Sequence, residues 1–260
     1  MKMLGDNSDE SWEVLGKQNP YFGVLTSERF RSDRLNDDLK REFFASGADH
    51  VAWLMKTVEA TLGPVARGRA LDFGCGVGRL TLPMRETAGF ADVTGVDISP
   101  SMLAEAGKNA QQLGLRGLAF VLSDDELSRT AGKFDFVHSF IVLQHIPIAR
   151  GQQIVRQLVS KLAPGGVAAL QVPIARPTTR LRSLAGALRA RGKLAHLIAN
   201  VIQGRAWDEP LMQMNRYNLN SLFALLYGDG IGRLAVELIE EGGNVGAYLF
   251  VRADPCASPT

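Results

Sequence analysis

A chain of 260 residues that is 46% hydrophobic and 22% charged holds enough apolar material for a large core and too much of it for disorder over most of its length. A formal charge of +2 lacks the overall cationic excess of a nucleic-acid binder, and two cysteines, Cys75 and Cys256, exclude a disulfide framework and a cysteine-rich zinc site. The start MKMLGDNSDE is polar and acidic where a secretory leader is basic and then apolar. No apolar run reaches the roughly 18 residues of a membrane span, so the expected location is the cytoplasm, with neither membrane nor DNA as partner.

In chain order, the segment to about residue 65 reads as helical. Leu35, Leu39 and Phe43, then Val51, Leu54, Met55 and Val58, recur at helical intervals and stop at Gly63-Pro64. Short apolar runs follow, each fit for a strand: Ala70 to Phe73, Val93 to Val96, Leu118 to Leu122, Phe134 to Phe140, and Gly166 to Ile174. Helical stretches separate them. Ser99-Pro100 supplies a capping hydroxyl before a first-turn proline, with Gly114 as the stop. Pro147 opens a helix through Leu162, and Ala163-Pro164-Gly165-Gly166 turns the chain into the next strand. Strands alternating with helices imply a parallel sheet. At the end, Leu234 to Ile239 and Val245 to Val251 flank Glu240-Glu241-Gly242-Gly243-Asn244 as a hairpin, which reverses the last strand.

The chemistry concentrates in Leu71-Asp72-Phe73-Gly74-Cys75-Gly76-Val77-Gly78-Arg79, where the first strand turns into the first helix. Gly74, Gly76 and Gly78 let the backbone approach a ligand that a Cβ would displace. Asp72 is placed to orient this turn and, through water, a ligand's ammonium group. Val93-Thr94-Gly95-Val96-Asp97 puts a carboxylate at the tip of the next strand, where it can accept both hydroxyls of a ribose, with Ile98 against the adenine face. Asp124, after Phe120-Val121-Leu122-Ser123, either accepts from an adenine amino group or caps the next turn with Asp125.

The series LDFGCGVGR, VTGVDIS, FVLSDD, FDFVHSFIVLQHIP and LAPGG, in that order and spacing, resembles the Rossmann-like class I S-adenosylmethionine-dependent methyltransferases over residues 68 to 175. The terminal hairpin matches that family's reversed last strand. The resemblance implies a doubly wound, mostly parallel seven-stranded α/β sheet with an antiparallel last strand. Around it, residues 1–65 form a helical N-terminal cap, 66–174 and 215–253 the core, and 175–214 a helical insertion. It further implies that Gly74, Cys75, Gly76 and Gly78 line the methionine part of the cofactor, that Asp97 holds the ribose and Asp124 the adenine, and that Ser139 and Phe140 border the amino end and the methyl group. Phe73 departs mildly from the family, which commonly has a smaller or aliphatic residue there. Trp12 to Thr26 resembles a cap that closes over the cofactor in some bacterial small-molecule methyltransferases; its Tyr21 and Phe22 either wall the site or simply pack the cap.

S-adenosylmethionine carries its own electrophile, so alignment, exclusion of water and a proton acceptor suffice and no metal is expected; the product is S-adenosylhomocysteine. His145, after the fourth strand, is the candidate base, with a structural role at the next helix start as its alternative. His50 in the cap and Tyr217 after the insertion are further candidates, His138 reads as a packed core residue and His196 as part of a helix face. Asn19-Pro20-Tyr21 precedes the glycine turn, so its likeness to the tetrapeptide of base-modifying amino methyltransferases is accidental. Between residues 175 and 207 lie Arg176, Arg180, Arg182, Arg189, Arg191, Lys193 and Arg205 and no acid. This amphipathic stretch is either a lid or a homodimer contact, and it suits an acidic or phosphorylated small-molecule acceptor. Trp207, at its close, is assigned to the acceptor pocket. The competing readings are an RNA or protein methyltransferase, a non-catalytic S-adenosylmethionine-binding protein, and an NAD-dependent oxidoreductase.

Overall fold

The structure is a computed structural model that describes residues 8–175, 214–227, 231–241 and 244–255. The expectations for the lid, the homodimer contact, Trp207 and His196 fall outside the described residues. Seven strands, β1 (Arg69–Phe73), β2 (Asp92–Asp97), β3 (Leu118–Leu122), β4 (Phe134–Ser139), β5 (Leu162–Ala175), β6 (Ile231–Glu241) and β7 (Asn244–Ala253), form one sheet in the order β3-β2-β1-β4-β5-β7-β6. All neighbours are parallel except β7, which runs antiparallel to both β5 and β6. From β1 the chain steps outward to β2 and β3, then returns to β4 on β1's other side. That reversal opens a crevice beyond the carboxyl ends of β1 and β4, where ligands of open α/β sheets bind.

Strand alternation sends neighbouring residues to opposite layers. Leu71, Val137, Leu170 and Leu249 join the core beneath α6 (Ile148–Ser160) and α7 (Leu219–Leu226), while Ala70, Phe136, Ala169 and Phe250 join the core beneath α3 (Asp37–Leu62). Both faces of the central strands are covered, which is why they read as continuous apolar runs.

The N-terminal segment is helical in pieces: α1 (Ser8–Gln18), α2 (Pro20–Val24), a 3-10 turn at Glu28–Phe30, and α3. Pro20 sits in the first turn of α2, where its missing N–H costs nothing, and Asn36 caps α3 by accepting from the Leu39 amide. Gly63, with φ of +91°, ends α3 where expected. The helix after the glycine turn, α4 (Thr81–Glu86), spans only six residues. Ser99 caps α5 (Pro100–Gln112) through the Met102 amide. The helix expected to run from Pro147 through Leu162 stops at Ser160, and β5 already begins at Leu162. Ala163 to Gly166 is therefore a bulge rather than a free turn: the register with β4 jumps from Leu162 to Val167, helped by Gly165 at φ of +74°. No described helix is long and apolar enough to cross a membrane.

Candidate functional site

The carboxyl edge of β1, β2 and β4, roofed by α1 and α2, encloses a cleft with about 990 Å3 of empty space, its open mouth included. Asp72, Phe73, Gly74, Cys75, Gly76, Asp97, Ile98, Phe140 and His145 line it, joined by Asp9, Trp12, Gly23 and Val24 from the cap.

The glycine turn is built as its sequence requires. Gly74, Gly76 and Gly78 have φ of +74°, +52° and +88°, which strain any residue with a Cβ. A Cβ on Gly74 would also meet Val142 at 2.2 Å, and one on Gly76 would meet Val24 at 2.5 Å. Gly78 does not reach the cleft; its conformation turns the chain toward α4. Cys75 is buried among Asp97 and Asp72, and burial, reinforced by those two acids, pushes its thiol up. It serves as a small apolar wall.

Asp97 ends β2 under the same roof. Its Oδ2 accepts from the Gly76 amide at 2.9 Å and its Oδ1 from the Ser99 amide at 2.9 Å. Burial pushes its carboxyl up to about 6, against the lowering effect of those two amides. A carboxylate has about four acceptor sites in all, so this cleft-lining pair of oxygens suits adjacent ribose hydroxyls as donors. Asp72 is held from the other direction: Thr81 Oγ1 donates to its Oδ2 at 2.6 Å, and His138 Nδ1 lies 2.9 Å from its Oδ1.

His145, in a 3-10 turn at Leu143–His145, faces Trp12 edge-on with ring centroids 4.9 Å apart. Gln144 Nε2 sits 3.1 Å from His145 Nε2. The residue opening this loop, Ile141, has φ of +53°, a costly state for a β-branched residue. Its amide donates to Gln171 Oε1 at 3.0 Å, a side chain buried in β5 that holds the loop in place.

Several expected residues lie elsewhere. Asp124 takes the capping alternative: its carboxylate accepts from the Ser128 amide and hydroxyl, at 2.8 and 2.5 Å, and those bonds hold its carboxyl low. Ser123 and Asp125 line the cleft in its place. Ser139 is fully buried, and its hydroxyl has no hydrogen-bond partner among the described residues. Tyr21 and Phe22 are packed inside the cap, Tyr21 bonding Asn109 at 2.9 Å and meeting Phe43 edge-on. Neither walls the cleft; Gly23 and Val24, next in α2, do so. His50 lies behind Phe140, and Tyr217 donates to the Leu143 carbonyl at 3.0 Å from below the loop. Tyr217 therefore supports His145's turn rather than touching a ligand.

Sequence reasoning gave no role to Asp9 or Arg150, and named Trp12 and Arg79 only as ends of the cap segment and of the glycine motif, though all four line the cleft. Arg150 on α6 bonds both Asp125, at 2.8 Å, and Asp9, at 2.9 Å, tying the end of α1 to the rim of the cleft. Glu13 fastens the next turn by accepting from the Ser99 and Ser101 hydroxyls at 2.7 and 2.8 Å. Burial opposes ionisation of Glu13, but the Ser99 and Ser101 bonds outweigh it and bring its carboxyl down to about 2. No short-range pattern encodes such pairs. Among the described residues, no group of three or more His, Cys, Asp or Glu side chains could hold a metal ion.

Residues 70–166 match the family described as a methyltransferase domain. Trans-aconitate 2-methyltransferase of Deinococcus radiodurans is 38% identical over 105 residues, covering 40% of this chain and 38% of that protein. The ubiquinone biosynthesis O-methyltransferase of Psychrobacter cryohalolentis is 31% identical over 160 residues, covering 60% of this chain and 57% of the relative. These matches span less than two thirds of the relatives' own length. The crystal structure of magnesium protoporphyrin IX methyltransferase from Synechocystis PCC 6803 with bound SAH superposes with a TM-score of 0.57 at 20% identity, covering 96% of each chain, a likeness of fold. Residues 70–166 are thus similar to a methyltransferase domain, and the seven-stranded sheet of this chain has the Rossmann-like fold of the methyltransferase structure on which it superposes.

Proposed function

We propose that the chain is an S-adenosylmethionine-dependent methyltransferase that passes a methyl group, by in-line displacement, to an oxygen or nitrogen of a small-molecule acceptor and releases S-adenosylhomocysteine. The observation that carries this reading is Asp97, fixed by two backbone amides beside a bare glycine turn, with lone pairs to spare for a ribose. The names of the curated relatives, a trans-aconitate and a ubiquinone-pathway methyltransferase, support a small acceptor.

When bound, S-adenosylmethionine supplies a methyl group already activated on a sulfonium. The chain's own residues then have three tasks. Asp97 and Ile98 grip the nucleoside, and Asp72 meets the cationic amino end. The roof residues Trp12, Gly23 and Val24 keep water from the reacting atoms. His145 takes the proton that an O–H or N–H acceptor loses as its lone pair forms the new bond to carbon. With an amide N–H of Gln144 against Nε2, that nitrogen is masked. Turning the amide by half a rotation puts its oxygen there instead, so the Gln144 side chain selects which tautomer of His145 faces the cleft. An acidic or phosphorylated acceptor fits the basic stretch between residues 175 and 207, and this insertion is the proposed lid or homodimer contact.

Calorimetry of the full chain with S-adenosylhomocysteine and with NADH tests the donor. Binding of the first alone is expected; binding of NADH alone would overturn the reading. Methyl-labelled donor offered with small-metabolite, RNA and protein pools then tests the acceptor, and label in either polymer would overturn the small-molecule assignment.

A further inference from the structure

Behind the cleft, four side chains from four separate elements make one buried polar chain. His138 on β4 joins the Asp72 carboxylate at 2.9 Å through Nδ1, and its Nε2 lies 3.4 Å from the Tyr248 hydroxyl on β7. The same hydroxyl lies 2.8 Å from Nε2 of His50 on α3. His138 and Tyr248 are fully buried. A fold needs nothing of this kind here: an apolar cluster would fill the space without desolvating two imidazoles and a phenol.

The chain reaches the cleft at two points. One is Asp72. The other is Phe140, a cleft-lining ring whose rear face is covered by His50, with centroids 4.2 Å apart, and by Tyr248, stacked within 6° of parallel at 5.7 Å. A carboxylate and an aromatic face side by side make a cation site. The bonding directions run one way through the network. With His138 Nδ1–H donating to the Asp72 carboxylate and a neutral ring, Nε2 would accept from the Tyr248 hydroxyl, whose oxygen would in turn accept from His50 Nε2–H. Burial first, then the nearby His138 and Arg79, push His50 down to about 3. It therefore stays uncharged beneath Phe140.

We infer that His138, Tyr248 and His50 are positioning residues that hold the Asp72 carboxylate and the Phe140 ring as one wall, shaped for the ammonium end of the methyl donor. The inference rests on the proposed donor and adds the residues that select its amino-acid half. The nucleoside half, gripped by Asp97, lies outside their reach.

Two probes separate these halves. S-adenosylhomocysteine has the ammonium group, and 5′-methylthioadenosine is the same nucleoside thioether without the amino acid. Tyr248→Phe removes one hydroxyl and keeps the stacked ring; His50→Gln, at the less buried end of the chain, is the second variant. In calorimetry with the full chain, each variant is expected to bind S-adenosylhomocysteine on the order of tenfold more weakly, the worth of one well-placed hydrogen bond. Binding of 5′-methylthioadenosine should change less than about twofold on the same scale. Loss of both ligands in equal measure would make the network merely structural and overturn the inference, as would unchanged binding of both. Failure of the unsubstituted chain to bind either probe would instead sink the donor reading, and the inference with it.

Discussion

Asp97 is the residue on which acidity acts most directly. Its carboxyl stands at about 6 in the folded chain against 3.8 for the free side chain, because burial disfavours its charge. Between those values the folded chain holds a proton that the unfolded chain has lost. Its stabilising contribution is therefore complete below 3.8 and is lost as pH rises through about 6. Donor binding runs the other way, since ribose hydroxyls donate best to the ionised form. Affinity for S-adenosylhomocysteine is expected to weaken as pH falls below about 6, and Asp97→Asn should flatten that profile while costing about 1.5–3 kcal/mol at neutral pH. A titration series by calorimetry checks both, and an unchanged slope in the variant would remove Asp97 from the ribose site. The places of Asp97, Ile98, Gly74, Gly76 and Asp72 on the cleft were legible because a strand tip and a glycine turn fix where backbone and carboxylate go. Asp124 was not, because a strand end does not say which of two successive acids turns inward. Tyr21 and Phe22 take the packing alternative, which sequence left open because an aromatic pair in a cap suits a packed interior as well as a wall.

At the scale of the element, α1 is held by polar contacts rather than by apolar burial, for Leu15 is the one core hydrophobic it contributes. Glu13 carries much of this docking. Its carboxyl is lowered to about 2 from 4.5, so the contribution is complete above 4.5 and disappears as pH falls through about 2. Glu13→Ala should cost about 1–3 kcal/mol of stability, as expected when a charged hydrogen-bond acceptor leaves two hydroxyls behind. It should also release S-adenosylhomocysteine several-fold faster, by loosening the roof while Asp97 keeps its grip. Thermal unfolding and stopped-flow displacement read the two effects, and unaltered release would show that α1 does not close the site. Helical periodicity marked the N-terminal segment as helical, but the break between α2 and α3 needed Asn36 as a cap and the contacts of Phe30 and Phe43, whose rings lie 5.3 Å apart. The Ala163-Pro164-Gly165-Gly166 stretch read as a turn from composition alone; pairing with β4 makes it a bulge, and pairing is a property of two strands.

For the whole molecule, β7 is the strand that joins the edge to the centre, bonded to β5 on one side and β6 on the other. Leu249 lies at its middle, fully buried in the core beneath α6 and α7. Leu249→Ala is expected to cost about 2–5 kcal/mol through lost burial and the cavity left behind. Urea unfolding measures this, and a cost below about 1 kcal/mol would mean that the layer collapses around the gap. Both strands of the terminal hairpin were legible as Leu234 to Ile239 and Val245 to Val251, but β6 reaches from Ile231 to Glu241 because it pairs with β7 along its whole length. The contacts that finish the cleft also span long stretches of chain. Asp9 meets Arg150 across 141 positions, and Glu13 meets Ser99 across 86. During synthesis the ribosome therefore delivers the roof well before its fastenings: α1 gains the first of them when the start of α5 has emerged and the last only with α6.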